Sequence, residues 1–213
     1  MRGSVSSRIW RKWMATVTAA EFTGFAVPAT AGALTARSAA VVSVPVLLAA
    51  GAVEGLLLGW GQAVVLRGVF PGFPARRWTA VTSVAAMCAY AIGLLPSALA
   101  PVRQNWPVYV LVPGALLAGL ALLNSIGAAQ WTVLRGLTPY AGRWVVASAL
   151  AWLAGLTVFL GFSMPLWHEG QALGVVIAVG VAGGFLMALT MAAVTGVVVR
   201  GWSRARALER VAR

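Results

Sequence analysis

Two carboxylic acids and four neutral polar side chains interrupt otherwise apolar stretches of this sequence. Glu54 lies between Gly51 and Gly59 in a run of Ala, Val, Leu and Gly, and Glu21 lies in "MATVTAAEFTGFAVPATAG". Asn124, Ser125, Gln62 and Gln130 stand in similar surroundings. At a helical rise of about 1.5 Å per residue, Glu54 is about 20 Å from Arg67, where its run ends, and Asn124 lies near the same depth. Glu21 is about 12 Å beyond Trp13, and Gln62 and Gln130 are about 7–8 Å from Arg67 and Arg135. An ionisable group at such depth marks a path for a proton, a cation or a small solute, or serves as interhelical glue. In the glue reading a protonated Glu54 bonds Asn124 or a backbone carbonyl. One such bond contributes about 0.6 kcal/mol, whereas placing an acid at the middle of a span costs roughly 2.5–3.5 kcal/mol. Gln62 and Gln130 are better suited to packing, because they recur at matching positions and the two acids do not.

Catalytic and metal chemistry have little support. Trp167-His168-Glu169-Gly170 offers one imidazole and one carboxylate, an incomplete metal site. Gly161-Phe162-Ser163-Met164 beside His168 echoes an intramembrane serine protease but lacks the Gly-x-Ser-Gly signature. A nucleophile and its base must come from elements that bring them within hydrogen-bond reach. No Walker loop, dinucleotide fingerprint or His-Glu-x-x-His occurs, so the expectation is no enzyme, no cofactor and no metal. The one cysteine, Cys88, reads as a small buried hydrophobe.

The elements that must position these groups are membrane spans. The 213 residues are 61% hydrophobic and 9% charged, against about 25% charged in a soluble domain. Hydrophobic runs fall at about 13–34, 40–66, 78–99, 108–134, 144–165 and 171–199, each near the ~20 residues that cross the hydrocarbon as a helix. The fold expected is an all-α polytopic bundle of six transmembrane helices in a single domain, 1–213. The first run has the basic front of a signal peptide, but Glu21 and its length favour a retained helix.

The chain also reads as three copies of one helical hairpin, about 13–67, 78–135 and 144–200, followed by a basic tail, 201–213. Each copy opens on a basic residue and Trp (Trp13, Trp78, Trp144) and closes on Arg-Gly (Arg67, Arg135, Arg200). Gly51, Gly119 and Gly184 share one position, Gly59 and Gly127 another, and Gln62, Gln130 and Thr195 a third. Gly51, Gly55, Gly59, Gly119, Gly127 and Gly184 are expected on helix-packing faces, where small residues let backbones approach. The three Trp and three Arg are expected as anchors at the membrane interface. Gly68, Gly136 and Gly201 are expected to cap their helices in a left-handed turn.

With the N-terminus, both Arg-Gly turns and the tail on one side, that side collects fourteen of the 16 basic residues; only Arg37 and Arg103 fall on the other. The positive-inside rule then puts both termini in the cytoplasm, beside the anionic leaflet, with the basic tail read first as a stop-transfer anchor and otherwise as a helix continuing the last span onto anionic lipid. A nucleic-acid partner is not expected, because the basic residues punctuate apolar runs.

Gln130-Trp131-x-Val133-Leu134-Arg135, followed by Arg143-Trp144-Val145 and Ala147-Ser148-Ala149, resembles a loose, uncharacterised group of bacterial multi-spanning membrane proteins of actinobacterial and cyanobacterial type. These carry repeated QWxVLR hairpins. The first copy departs at Ala63 and the third at Thr195. The resemblance implies a bacterial inner membrane and multi-pass topology, and no activity. The expected function is a non-enzymatic membrane component, a scaffold or partner subunit that assembles with another protein or with itself. The alternative is a small channel or transporter working through Glu54 and Glu21.

Overall fold

The computed structural model describes residues 2–104 and 106–209, without the side chains of 2–5 and 209. Arg210 and Arg213 of the tail lie outside the described residues. Six long helices run α1 (Arg2–Thr35), α2 (Ala40–Val69), α3 (Ala75–Ala98), α5 (Val108–Leu134), α6 (Gly142–Ser163) and α7 (Leu173–Glu209). A single turn, α4 (Ala100–Arg103), leads into α5. No strand occurs among the described residues.

Prolines and glycines set the boundaries. Pro74 and Pro107 precede α3 and α5, where a missing backbone N–H is harmless. Gly72 and Gly170 take positive φ, 70° and 78°, in the turns before α3 and α7, a conformation open to glycine without strain. Gly68, Gly136 and Gly201 do not cap their helices: Gly68 and Gly201 lie inside α2 and α7, and none has positive φ. Gly136 stands in the turn directly after α5.

Helices α2, α3, α5, α6 with its 3₁₀ extension, and α7 are long and apolar enough to cross a membrane. The chain is therefore a helical membrane protein. The sixth expected span, α1, has the length but is not among them; Glu21 and its threonines (Thr16, Thr18, Thr23, Thr30) dilute its apolarity.

The long helices form a closed ring in chain order, each packed on its predecessor, with α7 returning to α1 and also touching α2. The two ends of the ring differ. At the end bearing Arg67, Arg135 and Arg200, the basic end, the axis is filled by Trp13, Leu66, Phe70, Trp78, Leu134, Trp144 and Trp202. Toward the other end packing is looser: no residue of α5 from Val108 to Ser125 is buried. That half also holds the prolines within the long helices, Pro28, Pro45, Pro96 and Pro113. A proline in a helix interior removes one backbone hydrogen bond and bends the rod.

Glycine sets the close approaches. A Cβ at Gly55 would fall 2.6 Å from Ala86 Cβ and 2.7 Å from the Thr82 carbonyl oxygen. Gly51 lies against the Tyr90 ring and Gly59 against Thr79 and Thr82, so α2 and α3 meet along this stripe. Gly127 faces Val145 and Ser148 of α6, and Gly184 faces Phe25 of α1. Gly119, expected on such a face, has nothing within 4 Å, because its half of α5 stands away from its neighbours. Cys88, expected inside, is exposed on the outer face of α3.

Candidate functional site

Helix α2 points Glu54 inward at mid-bundle, where it is 2% exposed. The Tyr90 hydroxyl of α3 donates to Glu54 Oε2 at 2.7 Å. Gly24 brings α1 against the same residue; a Cβ there would lie 3.2 Å from the Glu54 carbonyl oxygen. From α1, Glu21 is fully buried one helical turn before Gly24, on the same side of the helix. Both Glu21 carboxyl oxygens lack a hydrogen-bond partner. A buried polar group left unpaired costs roughly 1–3 kcal/mol, so Glu21 has no structural role that its contacts explain.

Glu54 and Tyr90 line a cavity of about 320 Å³ to which all six long helices contribute residues. The rest of the lining is apolar: Phe25 from α1, Leu122 and Ile126 from α5, Trp152 and Leu156 from α6, and Met187 from α7. Leu47 and Leu94 carry it toward the end opposite the basic one. Leu58, Ile126 and Trp152 separate it from a void of about 10 Å³, which Gln62, Ser148 and Thr195 also line. One water-sized space thus lies on the axis below the cavity.

Beneath it a hydrogen-bonded layer closes the ring. Trp78 Nε1 donates to Gln62 Oε1 at 3.2 Å, and Trp144 Nε1 to Gln130 Oε1 at 2.7 Å. Trp13 Nε1 is shared between Thr195 Oγ1 at 3.2 Å and the Ala192 carbonyl oxygen at 3.1 Å. Each indole thus reaches an acceptor on the helix before it, counting α7 as the helix before α1. Gln130 Nε2 joins two of these pairs by donating to Gln62 Oε1 at 2.7 Å and Thr82 Oγ1 at 2.9 Å. Trp144 meets Trp13 and Trp78 edge-on or tilted, with ring centres 6.0 and 5.7 Å apart. Trp202 stacks on it at 5.6 Å.

Several site expectations are corrected. Trp13, Trp78 and Trp144 are fully buried and are not interface anchors, because each indole N–H finds its acceptor only inside the ring. The tryptophans nearer the surface at this end are Trp10 and Trp131, under the guanidinium groups of Arg200 and Arg135 at 5.9 and 5.1 Å. Arg67 is exposed, and Arg200 is half-buried with its Nε unpaired. Asn124 does not reach Glu54: its Nδ2 donates to the Leu120 carbonyl oxygen, and Ser125 donates to that of Leu122, both within α5. The polar partner of Glu54 is Tyr90, which the sequence reading missed. Gln62 and Gln130 join the aromatic layer and not the carboxyl pair. Ser163 Oγ is buried without a partner while His168 is exposed in the loop, so no nucleophile–base pair forms. Among the described residues no group of three or more His, Cys, Asp or Glu side chains could hold a metal ion. Past Gly201, α7 continues to Glu209 and turns Trp202 under the bundle. Arg206 Nη2 donates to the Leu137 carbonyl oxygen at 2.8 Å, so the tail's first turns pack on the protein.

No family model matches the chain, and neither a curated protein nor a solved structure matches it.

Proposed function

We propose that the chain is a non-catalytic, solute-binding protein of the bacterial inner membrane, working as a small transporter or as the binding subunit of one. The observation that carries this reading is the central cavity with Glu54 and Tyr90 in its wall. A scaffold has no use for an interior cavity with a carboxyl group in its wall. An open channel fits less well, because the aromatic layer occupies the axis at the basic end. A partner-subunit role draws support from the outer half of α5, where no residue from Val108 to Ser125 is buried within this chain.

The topology belongs to the same proposal. Six spans arranged as three hairpins place the basic end and both termini in the cytoplasm, where Arg67, Arg76, Arg77, Arg135, Arg143 and Arg204 are exposed toward anionic headgroups. The three indole–acceptor pairs related around the ring support the three-hairpin reading.

Chemical accessibility tests the proposal. In a Cys88→Ala background, Leu122→Cys at the cavity wall should react with a small methanethiosulfonate reagent. Val133→Cys, buried in the layer near the basic end, should not. If Leu122→Cys stays unmodified, the cavity is closed to solutes and the reading falls.

A further inference from the structure

We infer that the cavity takes an organic monocation, a quaternary or protonated amine carried on a compact apolar body. This deepens the proposed solute-binding function and rests on it.

The size sets a first limit. About 320 Å³ is at the low end of small-molecule pockets, which run from roughly 300 to 1,000 Å³. That is far more than a bare ion fills. An inorganic cation would also be poorly held: the wall offers one carboxyl and one phenol, whereas a hard cation needs about six oxygen ligands. A sugar or other many-hydroxyl solute would leave most of its polar groups facing leucine, alanine and methionine.

The charge sets the second limit. Glu54 lines the cavity, and Glu21, one helical turn from the Gly24 that abuts Glu54, is fully buried with both oxygens free of any hydrogen bond. No basic side chain lines the cavity. The basic residues lie at the helix ends or in the loops, with Arg37 and Arg103 at the far end. An anion would meet the Glu54 carboxyl and no cation. A neutral hydrocarbon would fit the walls and leave the Glu54 carboxyl without purpose.

The walls supply the third element. Phe25, Tyr90 and Trp152 reach the cavity from α1, α3 and α6. Aromatic faces around a desolvated site attract ammonium groups through the ring quadrupole. One carboxyl group in the wall, rings from three helices and an aliphatic remainder together suit an ammonium group on an apolar body.

The test uses the full chain in nanodiscs of zwitterionic lipid, so that cations do not adsorb to the bilayer itself. The probes are benzyltrimethylammonium and its neutral isostere neopentylbenzene, measured by equilibrium dialysis. The expected result is that the cation binds at least tenfold more tightly than the isostere. Glu54→Gln should remove that preference and leave the isostere's binding unchanged. If both probes bind equally to the unaltered protein, the cation inference is overturned while the solute-binding reading stands. If neither binds, both fall. Should Glu54→Gln not yield a monodisperse protein, the comparison of the two probes on the unaltered chain decides alone.

Discussion

Trp144 Nε1 lies 2.7 Å from Gln130 Oε1, and the amide nitrogen of the same Gln130 lies 2.7 Å from Gln62 Oε1. One side chain therefore ties α6 to α5 and α5 to α2, and through Thr82 to α3 as well. Buried amides in an apolar surround are stable only when their donors and acceptors are met. Here Gln130 meets them by joining helices that are far apart in sequence.

Replacing this hub should be far more damaging than replacing its counterpart in the third hairpin. Gln130→Leu leaves the Trp144 N–H without its acceptor and takes a donor from both Gln62 and Thr82. The expected loss is about 2–4 kcal/mol, from unpaired buried groups at roughly 1–3 kcal/mol each with partial relaxation. Thr195→Val should lose under about 1 kcal/mol, because Trp13 Nε1 keeps the Ala192 carbonyl oxygen at 3.1 Å. Denaturant titration of both variants in one detergent checks the ranking. Equal losses would show that Gln130 is not the hub.

Gly55 and Gly119 should answer the same substitution with opposite signs. A Cβ at Gly55 meets Ala86 Cβ, the Thr82 carbonyl oxygen and Ser83 Cα, all within 2.9 Å, and the last two are backbone that cannot swing aside. Gly55→Ala should force α2 from α3 and lose about 1–3 kcal/mol. Gly119 has open space around it. Gly119→Ala should gain about 0.5–1 kcal/mol from the helix preference of alanine. Apparent melting temperatures of the two variants, moving in opposite directions, would bear this out. A loss at Gly119 would mean that another chain packs there.

The helices themselves were legible in the sequence, and their inward faces were not. The expected runs 40–66, 78–99, 108–134 and 144–165 fall close to α2, α3, α5 and α6, because length, proline and turn glycine set those limits. Which face of each helix points inward is another matter. In lipid the outside of a bundle is as apolar as its inside, so no amphipathic stripe betrays the buried face. Val53 and Leu56 face outward while Glu54, Gly55 and Leu58 face inward, and all but Glu54 are of membrane-compatible types. Tyr90 and Trp152 gave no sign of lining a cavity for the same reason. The indole–glutamine pairs did leave a trace. Gln62 and Trp78 both lie within about two helical turns of the loop that joins α2 to α3, and antiparallel helices bring such positions toward one level. The rule that tryptophan prefers the interface hid that reading, although an indole N–H is met equally well by a buried glutamine.

Glu21 provides a trade between stability and binding. Its carboxyl is buried with neither oxygen paired, so Glu21→Met, of similar length and without polar atoms, should stabilise the protein by about 1–3 kcal/mol. Few buried substitutions are expected to stabilise, which makes the sign informative. A raised melting temperature together with weakened benzyltrimethylammonium binding would mark Glu21 as kept for function. A destabilised variant would mean that the carboxyl has a structural partner after all.

Helix α1 decides whether the chain crosses the membrane five or six times. By apolarity it falls behind the other long helices, yet its neighbours argue that it crosses. Trp13 lies at the level of Trp144, with ring centres 6.0 Å apart, at the basic end. Further along, Phe22 meets Phe185 at 5.9 Å and Phe25 meets Phe159 at 5.2 Å, deep along α7 and α6. On the proposed six-span reading, α1 keeps step with two membrane-capable helices over this length and shares their depth, with Glu21 buried inside the bundle. An epitope tag at the N-terminus should therefore resist external protease in intact cells. In a Cys88→Ala background, Ser38→Cys and Gln104→Cys should take an impermeant maleimide from outside, and Gly68→Cys and Gly136→Cys only after permeabilisation. A digested tag with the same cysteine pattern would leave α1 lying on the outer surface. Labelling of Gly68→Cys or Gly136→Cys in intact cells would overturn the orientation drawn from the arginines.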